Sequence, residues 1–130
     1  MLRNFLFVAI GGAIGSALRY GAALLIPRNP DVGWPWSTLA VNIVGSFIIG
    51  ILAQIAVRNS WMSGPGYLLL ATGICGGFTT FSSLSLECIQ MMQRGRMAAA
   101  LLYAGFSFVV GLAFCFTGMK LVEQLPPASL

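Results

Sequence analysis

Two ionisable side chains stand inside long apolar runs, Glu87 and Arg19. A charge in hydrocarbon is costly, so each is a functional hypothesis by default. Arg19 lies a turn or two from the end of its run, which leaves two readings: a cation that snorkels to headgroups, or a site residue. Glu87 lies deeper and reads either as a protonated structural group or as part of a pathway, and we take the pathway. Hydroxyls and amides recur around these two at helical spacing. Thr38, Asn42 and Ser46 share one face at i, i+4, as do Tyr103, Ser107, Gly111 and Cys115. Ser83 stands four residues before Glu87, and Ser82 and Ser85 flank it. A single serine in a membrane helix usually bonds its own i−4 carbonyl. Three stripes and a carboxyl group read instead as one-sided polar tracks. Asn42 is a deep amide that must find partners or water. No ring of acids is present to conduct cations. The available groups are hydroxyls, an amide and phenylalanine rings, whose edges are the positive part of their quadrupole. They suit a small, hard anion that accepts strong hydrogen bonds. Fluoride fits, and water and other small ions stay open on these residues alone. The chain has no histidine. His-ligated metal sites and His-based catalysis are excluded, and no nucleophile–base pair assembles around one buried acid, so an enzyme is not expected.

The stretch Gly76-Gly77-Phe78-Thr79-Thr80-Phe81-Ser82-Ser83-Leu84-Ser85 falls near the middle of the third apolar run. Two glycines followed by β-branched and hydroxyl residues invite a helix break. Irregular backbone survives at that depth only if it is buried in protein or lines a wet cavity. A break frees carbonyls and N–H groups, which are ready ion ligands. Two breaks meeting on a two-fold axis would ring one central cation with paired carbonyls. A plain glycine kink is the alternative.

The elements that carry these groups follow from composition. Of 130 residues, 58% are hydrophobic and 8% charged, and the mean hydropathy is +0.88. A soluble domain carries about 25% charged residues, so the solvent of this chain is lipid. Four apolar runs, about 2–26, 37–57, 66–92 and 97–122, each reach the ~20 residues that cross a bilayer. They form one all-α domain of four spans. Pro27 with Asn29-Pro30, Arg58-Asn59-Ser60, Gln93-Arg94-Gly95-Arg96 and Pro126-Pro127 end them. Trp34, Trp36 and Trp61 sit at interfacial depth. The first run has no A-x-A-like cleavage site before a polar segment and reads as a retained span. Cys75, Cys88 and Cys115 read as small buried hydrophobes. The net charge of +4 comes from scattered cations at span ends, so no nucleic-acid partner is expected. Arg3, Arg58 and Lys120 fall on one side of the membrane and Arg28, Arg94 and Arg96 on the other, where Arg19 adds one at most. That count gives no orientation preference. Two copies inserted in opposite senses could then pair about an axis in the membrane plane; the alternative is a weak bias with one orientation. Glycines at 11, 12, 15, 45, 50, 73, 105, 111 and 118 favour close helix packing. Four spans enclose little interior, so a pathway is expected between copies.

At this point the residues resemble those of the Fluc, or CrcB, family of fluoride channels. The resemblance runs through Gly11-Gly12-x-x-Gly15-x-x-x-Arg19-Tyr20, Thr38-Leu39-x-x-Asn42, Gly73-x-Cys75-Gly76-Gly77-x-Thr79-Thr80-Phe81-Ser82 with Glu87, and Tyr103-x-x-x-Ser107. It covers nearly the whole chain. It implies a passive fluoride-selective channel of the bacterial inner membrane that exports the ion and limits its toxicity. It implies an antiparallel, dual-topology homodimer with two pores and a third span broken at mid-membrane. It also implies a structural sodium ion at the dimer centre, bound by the carbonyls of Gly76 and Thr79. Asn42 matches the family's pore asparagine and Phe81 the first ring of its phenylalanine box. Ser82, Ser83, Ser85 and Glu87 match the polar track beyond. Tyr103 and Ser107 match pore-side positions, and Arg19 and Thr38 vestibule or structural ones. Leu84 departs from the pattern, because a second phenylalanine usually stands there, and Gly111 stands where a hydroxyl is often seen. Proton-coupled exporters of similar size are the competing class; their coupling acid lies in the first span, which has none here, so Glu87 would have to substitute.

Overall fold

The computed structural model describes residues 1–28 and 33–127. Asn29 and Pro30, expected at the end of the first span, lie outside the described residues. Four apolar helices long enough to cross a bilayer account for most of the chain: Leu2–Leu25, Trp36–Arg58, Pro65–Gln93 and Met97–Glu123. No strand occurs among the described residues. Helices are what lipid demands, since each N–H and C=O must be satisfied inside its own segment.

The connections are short and locally specified. Pro35 precedes the second span, and its carbonyl accepts from Leu39 N–H at 3.1 Å. Asn59 follows that span, and its Oδ1 accepts from the N–H groups of Trp61 and Met62 at 3.0 and 3.2 Å. After Gln93 the chain turns at Gly95, whose φ of 75° favours glycine. Gly95 N–H donates to Met92 O and Arg96 N–H to Met91 O, which closes the helix in a Schellman turn. Arg58 ties the far ends of the second and fourth spans together, donating to Leu125 O at 2.8 Å and Glu123 O at 3.2 Å.

Close packing sets which span neighbours which. The second and fourth spans cross backbone to backbone. A Cβ on Gly50 would strike the carbonyl of Cys115, and one on Gly118 would strike that of Phe47. The first span lies equally close to the first part of the third. A Cβ on Gly11 would stand 2.8 Å from Gly73 Cα, and one on Gly77 would stand 2.6 Å from Gly12 O. The part of the third span after the break packs instead against the fourth, in a core of Leu39, Cys88, Met91, Ala100 and Tyr103. The third span thus changes partners half-way along.

That change takes place at an interruption. Residues Leu68–Cys75 wind as a π-helix, which nothing in the sequence reading anticipated. Gly76 and Gly77, read as the source of the break, are still helical, with Gly76 at φ −61°, ψ −38°. The chain opens one step later: Thr79 has ψ 158° and Thr80 has φ −152°, ψ 117°, both extended. A new helix runs over Phe81–Gln93. Gly77 serves the close approach of the first span, and the two threonines, whose β-branched side chains disfavour helix, hold the opening.

Candidate functional site

The break is satisfied from two other spans. Asn42 grips the Thr80 peptide on both sides: its Oδ1 accepts from Thr80 N–H at 2.8 Å, and its Nδ2 donates to Thr80 O at 3.1 Å. The deep amide has found its partners, and the two bonds fix which way it faces. Arg19 reaches from the first span and donates through Nε to Gly77 O at 3.1 Å. Its side chain therefore turns to the break rather than to the headgroups. Thr80 caps the new helix, its Oγ1 accepting from Ser83 N–H at 3.1 Å.

Counting donors shows what the break leaves free. In an unbroken helix Gly76 O would accept from Thr80 N–H, and Thr79 O from Ser83 N–H. Asn42 takes the first donor and Thr80 Oγ1 the second. The two carbonyls that the resemblance nominates as cation ligands are thus released from their helical donors. Among the described residues no His, Cys, Asp and Glu cluster of metal-binding size occurs. Main-chain oxygen is the donor type this break offers, and it suits a hard cation.

Two turns beyond Thr80, three spans converge on Glu87, which is partly buried. Thr38 Oγ1 donates to Glu87 Oε1 at 2.6 Å, and Tyr103 OH donates to Glu87 Oε2 at 2.7 Å. Thr38 is 8% and Tyr103 0% exposed, so both hydroxyls are committed inside the protein. Hydroxyl bonds to carboxylate are the strong kind. Glu87, Thr38, Arg19, Ser83 and Thr80 line a cavity of about 400 Å³, together with Ser16, Tyr20 and Ser37. A second cavity of about 290 Å³ lies beside the break and is lined by Asn42, Ser46, Gly76, Thr79, Thr80, Phe81 and Leu84, among others. Thr80 belongs to both walls. Phe81 is 81% exposed, so the second cavity opens to the outside of a single chain.

The expected site residues do not all meet. Ser82 joins only through a 3.3 Å contact with Thr80 Oγ1, and Ser85 bonds its own i−4 carbonyl, Phe81 O, at 3.0 Å. Ser107 lines neither cavity; it is 8% exposed and its Oγ has no partner among the described residues. The face it shares with Gly111 and Cys115 lies against the second span, where a Cβ on Gly111 would stand 3.5 Å from Ser46 Oγ. Ser16, Ser37 and Thr80 were missed. The signal for Thr80 was available, since a threonine three residues before Ser83 at a helix start is a capping pattern. Ser16 precedes Arg19 by three residues and so shares its face.

Fold and site together define a small multi-pass helical membrane protein, with a donor-rich seam running past a broken third span. The chain belongs to the CrcB-like family: a family model described as "CrcB-like protein, Camphor Resistance (CrcB)" matches residues 6–119. A relative from Thermus thermophilus is 47% identical over 120 residues, covering 92% of this chain and 95% of its own length. Relatives from Hyphomonas neptunium and Agrobacterium fabrum are each 44% identical, over 95% and 94% of this chain and 98% of their own lengths. All three carry the name "Fluoride-specific ion channel FluC". The family is one of membrane channels and not of enzymes, and the chain is a multi-pass protein of the cell membrane.

Proposed function

We propose that this chain is a passive fluoride channel that exports the ion, and that two copies pair antiparallel to form two pores. The carrying observation is its 47% identity, over nearly its whole length, to a protein of that name. The seam supplies the chemistry. Thr80 Oγ1 donates to Ser83 Oγ at 3.1 Å, which leaves the Ser83 hydrogen free for the larger cavity. Arg19 spends Nε on Gly77 O and keeps its terminal N–H groups. Thr38, on the wall of the larger cavity, can turn its hydroxyl from Glu87 to an arriving anion and back, while Tyr103, fully buried and lining neither cavity, holds the other carboxyl oxygen. Asn42 uses one amide hydrogen on Thr80 and keeps the other for the smaller cavity, where Phe81 offers a ring edge. Apart from the Arg19 guanidinium at the cavity wall the donors are neutral, and they are spread along the seam, so the ion is held at several weak sites and can leave.

A second copy is supported by that smaller cavity. A polar opening facing lipid is costly, and another copy of the same face would cover it. The even charge count supports the antiparallel sense. A structural sodium ion at the centre of the pair fits the released carbonyls of Gly76 and Thr79. One chain offers too few oxygens to replace a hydration shell, and two copies double them. Held by those carbonyls, a sodium ion would supply positive charge between the two breaks.

Reconstitution decides the reading. Liposomes loaded with fluoride and containing the purified chain lose it to a fluoride electrode without a proton gradient, while chloride-loaded liposomes stay full. Vesicles that retain fluoride, or that take up drug cations only when a proton gradient is applied, would overturn the proposal in favour of a proton-coupled exporter.

A further inference from the structure

Tyr103 reaches Glu87 with a hydroxyl that lies on its ring's own axis, so what places that oxygen is the swing about Cα–Cβ of the ring. On its far side stands Trp34. The two ring centroids are 5.8 Å apart and their planes meet at 86°, the edge-to-face arrangement that aromatic quadrupoles prefer. Trp34 belongs to no helix, yet it is held from several directions. Pro35 follows it and restricts its backbone to extended conformations. Its carbonyl accepts from Trp36 N–H at 2.8 Å. The Trp36 ring lies 6.3 Å away at 32°. Its indole packs on the core that contains Leu39, Cys88, Met91 and Tyr103. An interfacial anchor needs none of this, since an indole at headgroup depth is normally held by lipid.

We infer that Trp34 is a positioning residue for conduction: its indole, packed against the Tyr103 ring, limits the swing of that ring about Cα–Cβ and so holds the phenol oxygen at Glu87. It touches neither cavity wall around the acid and acts through Tyr103. The inference rests on the fluoride-channel reading for its flux consequence, but its structural content is independent of the ion carried. A shape-keeping ring suffices at position 34, whereas an aliphatic side chain leaves room for the Tyr103 ring to swing and carry its hydroxyl from Glu87.

Two readouts test it on the full chain. In liposomes Trp34→Leu lowers fluoride efflux by about three- to tenfold, the factor to which an aromatic pair of this geometry corresponds, and Trp34→Phe restores most of it. In a Tyr103→Phe background, which keeps the ring and removes the hydroxyl, Trp34→Leu costs little more. Equal losses in both backgrounds would mean that Trp34 only anchors the fold, and would sink the inference. The second readout is infrared. The described acids are Glu87 and Glu123, and Asp31 is the remaining acidic side chain, so Asp31→Asn with Glu123→Gln isolates the Glu87 carboxyl band by difference against Glu87→Gln. Trp34→Leu shifts that band toward its position in Tyr103→Phe, and Trp34→Phe leaves it alone. A band indifferent to Trp34→Leu overturns the inference. If the unaltered chain passes no fluoride but the band shifts, the channel reading fails and the positioning role stands.

Discussion

Asn42 and Leu84 face the same cavity and make opposite predictions. Asn42 holds two backbone groups of Thr80 that have no helical partners. Asn42→Leu strands both, and an orphaned buried polar group costs about 1–3 kcal/mol. The variant is expected to unfold in detergent at clearly lower temperature and to lose fluoride flux with it. Asn42→Asp keeps the bond from Thr80 N–H and loses the one to Thr80 O, so it falls between. Leu84 is partly buried, packs against the core that holds Leu39 and Tyr103, and lines the cavity with the rest of its side chain. Leucine has no quadrupole to present to an anion. Leu84→Phe fills part of the cavity with a ring edge and is expected to raise fluoride flux at unchanged thermal stability; flux that stays level would mean that a second ring contributes nothing in this chain. Much at this scale was legible in advance. Residue type marked Asn42 and Glu87 as groups that could not sit alone in lipid. Their actual partners were not legible, because Thr38, Glu87 and Tyr103 come from three spans and spacing along one helix carries no distance between helices.

The third span shows what an apolar run conceals. Its length and its hydropathy announce a membrane crossing, and the stretch after Cys75 announces a break. The location of that break depends on a neighbour. Gly76 and Gly77 stay helical, and at Gly77 the first span lies against the backbone; glycine is what lets two backbones approach so closely. The π-helical turns over Leu68–Cys75 leave no mark in a sequence as plainly apolar as LLLATGIC, since α and π turns draw on the same residue types. The packing reading separates glycines that look alike. Gly77→Ala puts a Cβ 2.6 Å from Gly12 O and 3.0 Å from Ser16 N, which are backbone atoms that cannot swing aside. Forced overpacking of this kind costs about 1–3 kcal/mol, and it also pulls Gly77 O from Arg19. Gly12→Ala meets nothing within 4 Å and is expected to be neutral within a few tenths of a kcal/mol, or slightly stabilising, because alanine is the better helix former. Thermal denaturation of the two variants in the same detergent makes the comparison. Equal behaviour would show that the first span does not bear on the break.

At the scale of the whole molecule the charges bear on how two copies would meet in the proposed pair. Arg3, Arg58 and Lys120 on one side balance Arg28, Arg94 and Arg96 on the other, and Arg58 also spends its guanidinium on the carbonyls of Leu125 and Glu123. Orientation follows differences in such counts near span ends, so small changes should tip it. Ser63→Arg with Arg94→Gln puts the excess on the second loop and drives that loop to the cytoplasm. Ser63→Asp leaves the cations untouched and should do far less, because acidic residues contribute little to this rule. Arg58→Gln with Gln93→Arg drives the third loop inward instead. On the antiparallel reading, a chain forced into one orientation has no partner that faces it correctly. Cells expressing either biased variant alone should stay sensitive to fluoride, and cells expressing both should recover, since one copy of each kind rebuilds the pair. A parallel assembly predicts the reverse: each biased variant works alone, and mixing them helps nothing. The outcome is read from growth in fluoride, with labelling of a cysteine placed in the second loop reporting which side of the membrane that loop occupies.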